Sequence, residues 1–240
     1  MAIGDRAPEQ APANQSIERA ARLLSFFSVE QPELTLAELT ARLGTSLATT
    51  HRYLTALRRA GLVRQARGVY ALGPRVVELA ASALAGLHIV KIAGPFLERL
   101  TAEAGETAVL SVWDGEQPVV VRVQETSERL VRISVPTGSR LPADSAQGRV
   151  FRAHLQPDDP TLDDVRRDGT AAAIVGVVEG IDALAAPVFQ GDEIVATMAL
   201  VGTSAAIDTD PAGPMAATLR ETAAALSAEL GFLRREGRSG

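Results

Sequence analysis

Cysteine is absent from the 240-residue chain, and histidine occurs three times, as the widely separated His51, His88 and His154. Without thiolates, disulfides, thiolate zinc sites, iron-sulfur clusters and a cysteine nucleophile are excluded. The scattered histidines offer no cluster for a metal, so neither a metal nor a cofactor is expected. Long apolar runs are also missing. The longest, Ala171 to Val178 and Ile194 to Val201, fall far short of the roughly 18 residues that cross a bilayer, and no membrane partner is expected. The opening MAIGDRAPEQAPANQ is polar and rich in Pro and Ala, not basic and then apolar. It reads as a flexible tail over 1–15 and not as a secretion signal, which makes the cytoplasm the expected address. What remains is 46% hydrophobic and 22% charged, enough to bury a real core, and the length fits two domains.

Acidic residues are missing from one stretch in particular. From Leu39 to Val77 there are seven arginines (Arg42, Arg52, Arg58, Arg59, Arg64, Arg67, Arg75) and no Asp or Glu. The whole chain carries a net charge of -5, yet residues 1–77 hold ten basic against six acidic groups, a net +4, and residues 78–240 hold fourteen against twenty-three, a net -9. One part is built to meet a polyanion and the other is not.

Helical spacing of Ile17, Ala20, Ala21, Leu24 and Phe27 predicts a first helix capped by Ser16. Thr35-Leu36-Ala37-Glu38 is a capping box, opening a short helix stopped by Gly44. A third helix follows Thr45-Ser46 and ends at Ala60-Gly61. Two helices joined by a tight turn are the pattern of a helix-turn-helix. Leu62 to Gln65 and Val69 to Leu72, joined at Arg67-Gly68, then predict a hairpin, which in this position is a wing. A linker helix is expected over 75–88. Beyond it come a helix from Lys91 to Ala104, a hairpin through Asp114-Gly115, a third strand from Leu130 to Val135 and a helix from Ser145 to Leu155. Strands Leu184 to Phe189 and Ile194 to Gly202, and a closing helix from Pro211 to Leu233, complete the chain. Hairpins flanked by helices predict an α+β fold with an antiparallel sheet, divided as 1–15, 16–74, 75–88 and 89–240.

On a helical wheel the third helix turns Leu47, Thr50, Leu54 and Leu57 inward, with His51 at the edge of that face. Thr45, Ala48, Thr49, Arg52, Ala56 and Arg59 lie opposite. Small, hydroxylated and cationic residues are the set that enters a major groove, Arg for guanine edges or phosphates and Thr or Ala for thymine methyls. Thr45, Ser46, Thr49, Arg52, Arg59, Arg64 and Arg67 are the candidate DNA-binding residues, and double-stranded operator DNA is the expected partner. Asp144, Ser145 and His154 carry the letters of a hydrolase triad, but no G-x-S-x-G elbow surrounds Ser145, and no catalysis is expected.

Several runs together resemble the IclR family of bacterial transcriptional regulators. They are Leu43-Gly44-Thr45-Ser46-Leu47-Ala48-Thr49-Thr50-His51-Arg52-Tyr53-Leu54, Ala60-Gly61-Leu62-Val63 and Val69-Tyr70-Ala71-Leu72-Gly73-Pro74-Arg75. Further on are Ala104-Gly105-Glu106-Thr107, VPTGSRLP at 135–142, Ser145-Ala146-Gln147-Gly148-Arg149 and Ala185-Ala186-Pro187-Val188. The resemblance implies a winged helix-turn-helix, a linker helix and a C-terminal GAF-like domain that binds a small-molecule effector and helps to build a homodimer or tetramer. It implies an effector pocket walled by Leu141, Ser145, Ala146, Gln147, Ala183, Met198, Ala199 and Val201. Where relatives that bind small carboxylates place polar groups, this chain reads Ala173, Ala183, Ala199 and Val201. An anion buried without donors is costly, so an apolar or aromatic effector, or none, is expected, with Arg132 and Arg149 as the charges within reach. The alternatives are a ligand-independent regulator with a vestigial sensor, and a small-molecule-binding protein that uses its helix-turn-helix for assembly. The second fits poorly, because an assembly helix would be apolar at Thr49, Arg52 and Ala56.

Overall fold

The computed structural model describes residues 15–29, 31–127, 133–173 and 178–236, with side chains as far as 231. The tail expected over 1–15 thus falls almost wholly outside the described residues, as do Arg132 and the first half of the strand expected from Leu130 to Val135. The chain divides into two compact units, with the break between Ala83 and Leu84.

The first unit holds α1 (Gln15–Leu24), β1 (Glu33–Thr35), α2 (Leu36–Leu43), α3 (Leu47–Arg59), β2 (Val63–Ala66) and β3 (Val69–Leu72), and leads into α4 (Pro74–Gly86). The capping box forms. The Thr35 N–H donates to Glu38 Oε2 at 2.7 Å, and the Glu38 N–H donates to Thr35 Oγ1 at 3.3 Å. Gly44, at φ 68°, closes α2 in the left-handed conformation that starts the turn into α3. Leu23, Leu34, Leu39, Leu54, Leu57, Val63 and Tyr70 share one core, which locks α3 against α1, α2 and the hairpin. The hairpin turns on Arg67 and Gly68, both at positive φ, as a two-residue turn matched to strand twist requires. β1 is a third strand on this sheet, pairing Glu33 with Ala71 and Thr35 with Val69. Three residues are too few to show a period-2 pattern, which is why the sequence reads this stretch as connection.

The second unit holds α5 (His88–Ala104), β4 (Thr107–Trp113), β5 (Pro118–Gln124), α6 (Ala146–Leu155), a 3-10 turn at Pro160–Leu162 and α7 (Asp163–Asp168). β6 (Ala171–Ala172), β7 (Ile181–Gln190), β8 (Glu193–Thr203) and α8 (Pro214–Glu236) follow. All five strands run antiparallel in the order β5-β4-β8-β7-β6. Both expected hairpins form, but residues 133–135 are not a strand. Ile133 and Val135 instead pack on the sheet from an irregular segment. The centre of the sheet is the long-range pair β4–β8, with Thr107 opposite Val201 and Ser111 opposite Thr197.

Strand alternation gives this sheet two unlike faces. Ala108, Leu110, Leu184, Ala186, Val188, Ala196, Met198 and Leu200 pack with α5 and α8. Ala185 and Ala199 lie with α6, through Ala146, Val150 and Ala153.

Candidate nucleic-acid interface and sensor face

Ser46 is the N-cap of α3. Its hydroxyl accepts the Thr49 N–H at 3.3 Å and donates to Thr49 Oγ1 at 2.9 Å. Thr49, half-buried, therefore keeps its own hydroxyl hydrogen for an outside acceptor. Thr45 is used differently from the expectation. The buried Thr50 Oγ1 donates to the Ser46 carbonyl at 3.2 Å, which leaves Thr45 the donor in its 3.0 Å contact with Thr50. In this arrangement its hydrogen is turned inward and braces the turn.

The inward stripe of α3 begins only at Thr50. Leu47, placed inside by the wheel, is 57% exposed, because the wheel gives the direction of a side chain but not how far along the helix the neighbours reach. Outward, Ala48, His51, Arg52, Thr55, Ala56, Arg59 and Ala60 line an open trough of about 770 Å³. His51 stands on this exposed face and not at the edge of the core, and Thr55 joins it. Both could have been found from the same wheel by following the i, i+3, i+4 row from Ala48.

Partners separate the seven arginines of the basic stretch. Arg42 donates to the Phe26 carbonyl at 3.2 Å and to Gln31, Arg58 donates to Gln65 at 2.7 Å, and Arg75 pairs with Glu78 at 3.2 Å. The first two hold the fold, whereas the Arg75–Glu78 pair, with both side chains more than half exposed, is worth little in water. Among the described residues, Arg59 and Arg67 have no hydrogen bond or ion pair, and Arg52 rests only against the Tyr53 ring, 5.9 Å from its centroid. Arg64 lies 3.8 Å from Glu33, with both side chains more than half exposed. Such a pair is worth little in water and gives way readily to a phosphate. Of these five free or loosely held guanidiniums, four are the arginines that the sequence singles out, and Arg75 is the fifth.

On the sensor face, Leu141, Ala183 and Val201 pack with Val109 and Val120, while Ala146 and Ala199 belong to the neighbouring cluster under α6, which Ala183 also touches. Gln147 is buried. Ser145 is the N-cap of α6. It donates to the Pro142 carbonyl at 2.6 Å and accepts the Gly148 N–H at 3.1 Å, so its one hydrogen is already used. Gly148 is required there because a Cβ would collide with the Ala143 carbonyl. Met198 cannot line a pocket with Ala199 and Val201. Period-2 alternation sends it to the opposite face, against α5 and α8. Arg149 donates to the Ala172 carbonyl at 2.9 Å and to Asp164 at 2.8 Å, while its buried Nε has no partner among the described residues. No triad assembles: Asp144 is 3.4 Å from Arg152, and Ser145 and His154 lie nine residues apart along one helix, about 13 Å by helical rise.

Three carboxylates tie this unit together and titrate below their ordinary range. At Asp114 burial acts upward, but the N–H groups of Gln117 and Glu116 and the Arg140 guanidinium outweigh it. At Asp159 the Thr161 hydroxyl and N–H dominate, with Arg152 assisting. At Asp164 burial is outweighed by the Val165 N–H and Arg149. Carboxylates with depressed native pKa values contribute stability that is complete above the unfolded value and is lost as pH falls through the native one. Denaturant midpoints of this unit, followed by the emission of Trp113, the one tryptophan in the chain, are expected to hold from neutral to about pH 5 and to fall below about pH 4. A midpoint that stays level or rises on that acidification would contradict these assignments.

Two family models match the chain, the IclR helix-turn-helix domain over residues 16–67 and the bacterial transcriptional regulator IclR C-terminal domain over residues 81–161. The transcriptional repressor IclR of Escherichia coli (strain K12) is 35% identical over 160 residues, covering 63% of this chain and 58% of the relative. The acetate operon repressor of Salmonella typhimurium is 31% identical over 151 residues, 61% of this chain and 55% of the relative. The match thus spans little more than half the length of either. The repressor AllR of Klebsiella pneumoniae is 24% identical over 258 aligned residues and is covered to 94%. Among solved structures, an IclR-type regulator from Alicyclobacillus acidocaldarius aligns with a TM-score of 0.73 at 26% identity, over 91% of this chain and all of that one. An IclR homologue from Microbacterium hydrocarbonoxydans, complexed with 4-hydroxybenzoate, aligns with a TM-score of 0.71 at 22% identity over 90% of this chain and 98% of that one.

Proposed function

The chain belongs to the IclR family of bacterial transcriptional regulators, and from that premise we propose that it is a DNA-binding repressor controlled by a small apolar or aromatic effector. The observation that carries the DNA reading is the trough on α3. Ala48, Ala56, Arg52 and Arg59 line it, and among the described residues neither guanidinium is neutralised by a carboxylate. Small residues let a groove edge approach closely, the arginines offer base-edge and phosphate contacts, and the wing adds Arg64 and Arg67.

A homodimer or tetramer suits the same reading, because site-specific winged helices work in pairs on two half-sites. α4 supports it: the helix is rich in Val, Leu and Ala, yet none of its residues is buried, and Val77 is 71% exposed. The effector class rests on the sensor face, where Val109, Val120, Val201 and Leu141 offer no donor to an anion, the Ser145 hydrogen is already used and the charge of Arg149 is paired with Asp164. The 4-hydroxybenzoate held by the Microbacterium homologue shares the aromatic body of that class and differs from it in carrying a carboxylate. Operation in the cytoplasm follows from the role proposed, and among the described residues no single helix is long and apolar enough to cross a membrane.

The test is the salt dependence of binding to a duplex from the protein's own upstream region. Arg67→Ala is expected to weaken all sequences alike and to reduce the slope of log K against log salt by about 0.9. An unchanged slope would remove the wing from the interface. Salt-independent binding by the unaltered protein would overturn the DNA reading itself.

A further inference from the structure

A cleft in the 84–240 unit lies on the α8 side of β7, away from the sensor face. It is lined by Gly169, Pro187, Phe189, Arg220, Ala223 and Ala224, among others, and encloses about 300 Å³, at the lower end of the range for small-molecule sites. Its walls are almost wholly apolar, and one charged group enters it.

That group, Arg220, differs from its neighbours. Arg99, Arg140, Arg149, Arg152, Arg166 and Arg167 each face a carboxylate. Arg220 has none among the described residues. Its Nη1 donates to the main-chain carbonyls of Pro211 at 2.7 Å and Asp168 at 3.2 Å, which fixes the guanidinium without neutralising it. Nη2 and Nε make no hydrogen bond among the described residues. Arg122 also lacks a carboxylate among the described residues, but it is packed against Gly94 with Nη1 on the Val90 carbonyl at 2.8 Å. Gly169 makes room for Arg220, since a Cβ there would stand 3.3 Å from its Cδ.

The cleft is not suited to adding a peptide strand. Pro187 has no N–H, and the Phe189 N–H already donates to Ser227 Oγ at 2.9 Å, so the backbone along this rim has little left to pair. The guanidinium is the donor that remains. A fixed, uncompensated cation beside an apolar wall matches a carboxylate on an apolar body, since charge-assisted hydrogen bonds to guanidinium are among the strongest available. We propose that this cleft is a second ligand site, distinct from the sensor face, that takes a small monocarboxylate with an apolar body through Arg220.

The experiment is a nitrogen-15 NMR titration of the full chain with benzoate, and with benzyl alcohol as the neutral isostere, following the Gly169 amide and the Arg220 Nε–H. Benzoate is expected to move both resonances saturably, and benzyl alcohol to leave them in place. Ala224→Trp, at an exposed position of α8, fills the cleft without touching the core and is expected to weaken the benzoate response at Gly169 by at least about tenfold; Arg220→Gln, which removes the charge, should do the same. The proposal is overturned if benzoate produces no saturable movement, if benzyl alcohol moves the same resonances equally, or if the response survives Ala224→Trp. Should Arg220→Gln fold poorly, the Trp variant and the isostere still decide.

Discussion

Replacing Phe151 with alanine is expected to destabilise the 84–240 unit by about 3–5 kcal/mol, the range for truncating a fully buried phenylalanine. Phe151 sits on α6 with no exposed surface. Its ring lies 5.3 Å from that of Trp113 on β4, at an interplanar angle of 42°. The deletion leaves a cavity between α6 and the sheet and removes an aromatic pair worth about 0.5–1.5 kcal/mol beyond its area. Against a total stability of roughly 5–15 kcal/mol, the loss is large enough to read directly. Trp113 reports it, since its emission follows both the contact and the unfolding of the unit. The denaturant midpoint should fall with its slope unchanged. A loss below about 1 kcal/mol would mean that α6 is not held to the sheet as described.

Arg52→Ala is the substitution expected to do most harm to DNA binding. It projects from the trough next to Ala48 and Ala56, without a hydrogen bond or ion pair of its own among the described residues, so its removal leaves no internal group unpaired. If it forks onto a guanine, affinity for a specific operator falls by about 1–3 kcal/mol, roughly tenfold to a hundredfold, and selectivity relaxes at one base pair. Arg52→Lys should not restore that selectivity, because an ammonium cannot make the bidentate contact. Equal losses on operator and on unrelated duplex would assign Arg52 to the phosphates instead. No loss on either would remove α3 from the interface.

How much of this could be read beforehand depended on how local the signal was. The capping box at Thr35 and Glu38, the stop at Gly44 and the Arg67-Gly68 turn are each decided within four residues, and each forms as the sequence predicts. The brace at Thr45 was not legible, because a hydroxyl beside a helix N-terminus can face a phosphate or support its own turn, and the buried Thr50 that it meets is visible only in three dimensions. Met198 is a different error, since strand alternation alone separates it from Ala199 and Val201. The β4–β8 pairing and the two-residue β6 were out of reach. The first joins segments some ninety residues apart in the sequence, and the second is too short to carry a pattern.

Charge shows the same contrast. The net -5 of the chain conceals a basic stretch, and only its partners show that Arg42 and Arg58 hold the fold while Arg52, Arg59, Arg64, Arg67 and Arg75 are free or loosely held. That division turns a count of arginines into a candidate interface.

In vitro selection of duplex DNA from a random library by the full-length protein tests the account most directly. It predicts enrichment of an inverted repeat whose half-sites lie one helical turn or a whole multiple apart, about 10–10.5 base pairs per turn, lost with Arg52→Ala and kept, at lower affinity, with Arg67→Ala. Recovery of no common sequence, or of one that both variants bind as well as the unaltered protein, would contradict it.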